Sequence, residues 1–381
     1  MLDSFLISSD IQRKWIKKFK TIEDTFKQRA AEEDIDSKFP FDNIKWLVEE
    51  GYSVLTLPKS YGGEGATIED MVVLQSYLGA IDGATALSIG WHLSVVGQLY
   101  QQHMWSQTML DQFAIEVKNG ALVNRAVSEA DTGSPTRGGR PATHAIKTKD
   151  GYKLNGVKTF TSMSKALTHY IVAAFVEDIQ EVGFFLIPRE TKGLEIADNW
   201  NMLGMRATES HDLVLNDVIV PFENFVETKH KPQPNGWILH IPSVYLGIAQ
   251  AARDYAIEFA KTHSPNSIDG TISTLPTVQQ NVGKMESLLL SARHFLWSTA
   301  KGYNQYNETL NIWNETSASK ILVMNQGLEV VDLAMRIVGA KSLEMDRPLQ
   351  RYYRNMRAGL HNPPMEDAAY TNIAKSILDL M

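Results

Sequence analysis

Apolar residues at Trp15, Phe19, Ile22 and Phe26 recur at steps of three and four, the spacing that lays one apolar stripe along a helix. Ile44, Leu47 and Val48 repeat that spacing in a second segment. LPKSYGGEG, Leu57 to Gly65, then reads as a loop punctuated by proline and glycine. From Ile68 to Gln102 the chain is rich in Leu, Val, Ala and Gly with few charges, which predicts helices buried on most sides. The texture changes near Asn119. Up to about Asn224, short β-prone runs alternate with turn residues, as in YKLNGVKTFTS, YIVAAFV, VGFFLIP and SHDLVLNDVIVP. DGYKLNG carries turn signals at Asp150-Gly151 and Asn155-Gly156, so its middle reads as a hairpin strand. After the polar linker ETKHKPQPNG, helical periodicity returns. IPSVYLGIAQAARDYAIEFA reads as one long helix whose Gly247, Ala249, Ala251 and Ala252 suit close packing, and ASKILVMNQGLEVVDLAMRIVGA as another. The helical–β–helical order lacks βαβ alternation and argues against a doubly wound sheet. The predicted fold class is α+β, mostly α, with a helical domain over 1–119, a small β domain over 120–229 and a helical domain over 230–381.

The 381 residues suffice for two or three packed units. Forty-four acidic against 37 basic side chains give a net charge of −7, without the basic face that nucleic acid requires. No cysteine is present, which removes disulfides, thiolate metal sites and thiol nucleophiles and fits a reducing compartment. The first 20 residues do not read as a signal peptide, and no run of about 18 apolar residues predicts a membrane span. The expected address is the cytoplasm. No G-x-G-x-x-G opens a helix after a strand, so any flavin or nicotinamide is not held by a Rossmann unit. No metal pattern or Gly-x-Ser-x-Gly elbow occurs, and no metal site is expected. Gly62-Gly63-Glu64-Gly65 reads as a turn, and His92 and His211 as polar core groups.

The segment VSEADTGSP, Val127 to Pro135, is more informative. Clustered hydroxyls and exposed backbone N–H groups in such a loop bind a polar heterocycle or a phosphate, although a plain polar β-turn looks the same locally. Several motifs occur in the same order as in a known family. LPKSYGGEG resembles a Pro-x-x-Tyr-Gly-Gly-x-Gly loop, and VSEADTGS a Thr-Glu-Pro-x-Ala-Gly-Ser segment. LNGVKTFTS, Leu154 to Ser162, is similar to Leu-x-Gly-x-Lys-x-Trp-Ile-Thr, with Phe160 at the tryptophan and Ser162 at the threonine. LGMRATESHDLVLNDVIVP and PLQRYYRNMR match two further runs. Together they resemble the acyl-CoA dehydrogenase superfamily over essentially the whole chain.

That resemblance implies an N-terminal helical domain, a central small β-barrel or sandwich, a C-terminal four-helix bundle, and a non-covalent FAD (FMN for a monooxygenase). It implies a cofactor site built from Ala126, Val127, Ser128, Gly133, Ser134, Phe160, Thr161, Ser162 and Gly339. Ser134 would also face the substrate, which the family makes an acyl-CoA. The implied partners are an electron-transfer flavoprotein or a flavin reductase, together with further copies of the chain in a homodimer or homotetramer. The family's catalytic glutamate falls on Pro363, which cannot act as a base. Glu366 and His361 are the nearby ionisable candidates, and Glu366-Asp367 equally suit the start of the last helix. LHNPP resembles the His-(Asp/Asn)-Pro element of flavin monooxygenases of the same fold. Three readings follow: dehydrogenation of a thioester Cα–Cβ bond, two-component flavin monooxygenation, and a catalytically silent flavin-binding relative.

Overall fold

The computed structural model describes residues 7–132, 139–228, 235–305 and 312–378. Helix α1 (Asp10–Asp36) starts at a capping box in which the Ser9 side chain and Gln12 satisfy each other's backbone N–H groups. Of its predicted stripe Trp15, Phe19 and Phe26 are buried and Ile22 half-buried, with Trp15 and Phe19 meeting Tyr52 edge-on at 4.7 and 5.3 Å. After α2 (Phe41–Glu49), the glycine loop folds back on α1. Glu64 accepts from Trp15 Nε1 at 3.1 Å and pairs with Lys14 at 2.6 Å. A Cβ on Gly63 would stand 2.1 Å from the Leu57 carbonyl oxygen, so only glycine fits this turn. Helices α3 (Ile68–Ile81) and α4 (Gly83–Gln101) are buried on most sides, as their composition predicts, and α5 (Gln107–Lys118) closes the block.

The β domain is one eight-stranded sheet of β1 (Val123–Ala126), β2 (His144–Lys147), β3 (Tyr152–Lys158), β4 (His169–Val176), β5 (Glu181–Pro188), β6 (Leu194–Ile196), β7 (Leu213–Val220) and β8 (Phe225–Thr228). Its order is β6-β7-β3-β2-β4-β5-β8, with β1 also paired to β4. Strands β1 and β2 run parallel to β4 and the remaining pairings are antiparallel. One expectation fails here. Asn155-Gly156 is not a turn but lies inside β3, at a register shift against β7. A Cβ on Gly156 would come 2.6 Å from Thr143 Cα, so the glycine serves a close backbone approach at a bulge.

Five helices complete the chain: α6 (His240–Thr262), α7 (Pro276–Gln305), α8 (Trp313–Val338), α9 (Pro348–Gly359) and α10 (Glu366–Ile377). Helix α6 crosses α3 at backbone contact distance. A Cβ on Gly247 would lie 2.2 Å from Ser76 O, and one on Gly79 2.6 Å from Val244 O. Gly247→Ala is therefore expected to force the two helices apart at a cost of about 1–3 kcal/mol, read as a lower urea midpoint by tryptophan fluorescence. An unchanged midpoint would show that the crossing tolerates a methyl group.

One turn of the β domain is fastened to helices α1 and α9. Arg354 of α9 donates to Leu203 O at 2.9 Å and grips the buried Asp34 carboxylate of α1 with both terminal nitrogens. Met205 N donates to Asn355 Oδ1 at 2.8 Å, and Arg206 Nε to Asp34 O at 2.7 Å. Among the described residues no helix is long and apolar enough to cross a membrane, and no cluster of three or more His, Asp or Glu could hold a metal ion.

Candidate functional site

Strands β1 and β3 end side by side, and the chain leaving each builds the site. Thr159 N donates to Ser128 O at 2.8 Å, which joins the serine-bearing turn to the Phe160 segment. Beneath this junction Lys158 Nζ lies 2.6 Å from Glu129 Oε1, with both side chains buried. Glu129 also accepts from Thr132 Oγ1 at 2.5 Å, Ala142 N at 2.7 Å and Thr143 N at 3.0 Å. Burial alone would raise its pKa. The hydrogen bonds from Lys158, Thr132 and Thr143 outweigh that and hold it at about 2. A carboxylate held by four partners in this way ties Thr132, Ala142, Thr143 and Lys158 to one point.

Phe160 leaves the strand in the left-handed region, at φ 58°, and its ring is 57% exposed. Trp200 meets it edge-on at 6.1 Å. Met163, Met205 and Glu209 share the left-handed conformation at φ 64°, 52° and 37°. Four such non-glycine residues within two contacting segments concentrate strain where function is expected. The segments are stitched together by Thr161 N donating to His211 O at 3.3 Å and Met163 N to Thr208 O at 3.0 Å. Three hydroxyls line up from Thr208 through Ser210 to Ser162 at spacings of 2.9 Å, with Ser210 donating to Ser162 and Thr208 to Met205 O. Asn124 Nδ2 holds Ser162 O at 3.3 Å.

The two core histidines serve this scaffold. His211 Nδ1 accepts from the backbone N–H groups of Asn199 and Trp200, at 3.0 and 2.9 Å, and so fixes the tryptophan. Burial lowers its pKa, which keeps Nδ1 free to accept. His92 bridges Ser53 O and Val123 N at 2.9 and 3.1 Å, and burial pushes its pKa down to about 4.

A flat heterocycle with polar edges fits this arrangement. The exposed Phe160 ring with Trp200 against its edge offers an apolar surface. The Oγ1 atoms of Thr159 and Thr161 are buried without a hydrogen-bond partner, a cost that a ligand's polar edge would remove. Ser128 is half-buried and Ser162 buried in the same two segments. Ala126 is buried at the end of β1 and supports the junction from below, and Val127 is half-buried beside it. Gly133 and Ser134 lie outside the described residues.

The remaining candidates lie elsewhere in the helical block. Gly339 ends α8 at φ 69°, and a Cβ there would meet nothing within 4 Å, so the helix stop and not a close approach needs the glycine. His361 is exposed just beyond α9. Asn362 Nδ2 donates to Tyr245 OH at 2.7 Å, which pins the loop onto α6. Glu366 and Asp367 stand in the first turn of α10, and Glu366 Oε1 accepts from Asn325 Nδ2 of α8 at 3.1 Å. Buried Lys320 lies near it, its pKa lowered to about 8 by burial, with Glu366 opposing. Neither Glu366 nor His361 hydrogen-bonds to residues 126–129 or 159–162.

Sequence reasoning missed the Lys158–Glu129 pair, Trp200 and the Thr208–Ser210 relay. The available signal was a lysine between apolar and β-prone residues in β3, a position that demands a buried partner.

The N-terminal, middle and C-terminal domain families of acyl-CoA dehydrogenase match residues 12–104, 124–218 and 239–362. The chain is 52% identical over 374 residues to a putative acyl-CoA dehydrogenase, YdbM, of Bacillus subtilis, covering 97% of this chain and 98% of that one. Butyryl-CoA dehydrogenase from Megasphaera elsdenii superposes with a TM-score of 0.87 at 19% identity, covering 97% and 99% of the two chains. KijD3 bound to FMN and a dTDP-linked amino keto sugar superposes with a TM-score of 0.86 at 22% identity, covering 98% and 95%.

Proposed function

The chain belongs to the acyl-CoA dehydrogenase superfamily of flavoprotein oxidoreductases, and from that premise we propose that it dehydrogenates the Cα–Cβ bond of an acyl thioester. The flavin supplies the two-electron chemistry, and the protein orients it and excludes water. Ser128, Thr161 and Ser162 would hold its polar edge, and Phe160 with Trp200 would border its ring. The observation that carries the reading is the Thr159–Ser128 hydrogen bond, which brings the two flavin-binding segments of the family resemblance together. The 52% identity to a chain described as a putative acyl-CoA dehydrogenase supports the thioester. Gly133, Ser134 and Gly339 complete the proposed cofactor site, with Ser134 also toward substrate.

In this reading Glu366 takes the α-proton after exchanging Asn325 for the substrate. A well-placed general base contributes about 10²–10⁴ in rate, so Glu366→Gln should slow flavin bleaching by acyl-CoA at least about a hundredfold while flavin stays bound. Bleaching at the wild-type rate would remove Glu366 from the mechanism. Electrons would pass to an electron-transfer flavoprotein. A cytoplasmic homodimer or homotetramer is the proposed state.

A second reading is favoured by the loop itself. Pro363 occupies the base position, Glu366 is engaged by Asn325, and His361 stands exposed before Asn362 and Pro363. The His-Asn-Pro run resembles the element of a two-component flavin monooxygenase fed by a flavin reductase, and the FMN and sugar bound to KijD3 support a fold that accepts FMN beside a substrate other than a thioester. Product formed only when a reductase and oxygen are supplied, with no bleaching by any acyl-CoA, would select it.

A further inference from the structure

A cleft of about 930 Å³ opens between α1, α3, α6 and the first turns of α9, a volume in the range of small-molecule sites. Tyr77, Tyr255 and Tyr352 line it together with Ile35, Ile81 and Met345. None of Ser128, Phe160, Ser162 and Trp200 does. Arg351 reaches the cleft from α9 and is only 8% exposed. Among the described residues its guanidinium makes no hydrogen bond and no ion pair. Its neighbours are the Tyr352 ring, 5.6 Å away, and the buried Asp82 carboxylate, which acts at longer range. The other charged groups of the wall include several that are already occupied. Glu23 pairs with Lys27, Asp34 with Arg354, and Arg347 with Glu344 and the Tyr255 hydroxyl.

A guanidinium that faces the cleft with no protein acceptor is free to take one from a ligand, and a planar carboxylate satisfies it through two parallel hydrogen bonds. Five carboxylates line the wall against Lys20, Lys27, Arg347 and Arg351, so a dianion such as phosphate meets no excess of cations. The tyrosines and aliphatic side chains provide surface for an apolar body. We propose that this cleft is a second ligand site, one that binds a monocarboxylate with an alkyl or aryl body, its carboxylate on Arg351.

The test is calorimetric titration of the flavin-loaded protein with 4-phenylbutyrate, 4-phenylbutanol and inorganic phosphate. We expect 4-phenylbutyrate to bind at least about tenfold more tightly than the other two. Arg351→Met should weaken it at least about tenfold with flavin content unchanged. Because Arg351 is buried, Ala80→Phe serves as a second variant that fills the cleft from α3 without altering charge. It should cause the same loss, and it decides the matter if Arg351→Met does not fold. Absence of 4-phenylbutyrate binding at about 10 mM, phosphate binding as tightly, or undiminished binding in the folded variants would overturn the proposal.

Discussion

Lys158→Met is expected to destabilise the protein by about 3–5 kcal/mol, because it leaves the Glu129 carboxylate buried without its cation. Lys158 is fully buried and Glu129 is 6% exposed, so water cannot replace the lost partner cheaply. The loss should fall first on the junction between the serine turn and the Phe160 segment, so flavin should be released before the helices unfold. Flavin fluorescence and far-UV circular dichroism, followed together in urea, measure this order. Coincident transitions with a wild-type midpoint would deny the pair its role. The sign with pH follows from the depressed pKa of Glu129, about 2 against an ordinary value near 4.5. Its contribution is complete above about 4.5 and disappears as pH falls through about 2, because the unfolded chain takes up the proton first. In the variant that acid loss should be smaller and should end at a higher pH, since the folded carboxylate loses the strongest partner holding it ionised and its pKa returns toward the ordinary value.

Arg354→Leu should be of similar size, about 3–5 kcal/mol, for a related reason: the buried Asp34 carboxylate loses its guanidinium. The consequence for the site differs. Arg354 also holds Leu203 O, and the adjoining Met205 O accepts from Thr208 Oγ1, the first member of the hydroxyl chain that reaches Ser162. Freeing this turn should therefore weaken flavin binding about tenfold, or ~1.4 kcal/mol. Asp34→Asn combined with Arg354→Leu should cost less than the two single changes added together, since the two residues share one interaction. Strict additivity in urea titrations would show that they act independently.

The contrast between these two variants and Gly247→Ala separates kinds of glue. The α3–α6 crossing is packing between backbones, and a change there should lower stability without preferentially releasing flavin. The Lys158–Glu129 and Arg354–Asp34 pairs are buried electrostatic clamps at either side of the proposed flavin edge. Both are costly to form by desolvation, and their value lies in fixing one arrangement of the strands' ends. Phe160 illustrates why that is needed. A left-handed aromatic residue with an exposed ring persists only if the surrounding chain over-determines it. Thr159 N on Ser128 O and Thr161 N on His211 O do so on both flanks.

Much of the architecture could be read from local patterns. The stripe Trp15, Phe19, Phe26 is a helix because its period matches the turn of a helix, and LVLNDVIV is a strand because β-branched residues fill a pleated surface. The glycine loop at Leu57 to Gly65 and the small residues of α6 were equally legible, since glycine and alanine announce close approach. Asn155-Gly156 misleads for a definite reason. Its local turn propensity is real, but the nearness of Thr143, just before β2, converts the glycine into a bulge. The sequence by itself determined the periodicity of each segment and where the chain must turn, because those depend on neighbours a few residues away. Tertiary structure alone decided that Glu129 meets Lys158 across 29 positions, that Asp34 meets Arg354 across 320, and that Glu366 meets Asn325. Buried charges select partners by desolvation and geometry in three dimensions, and spacing along the chain carries no record of that selection.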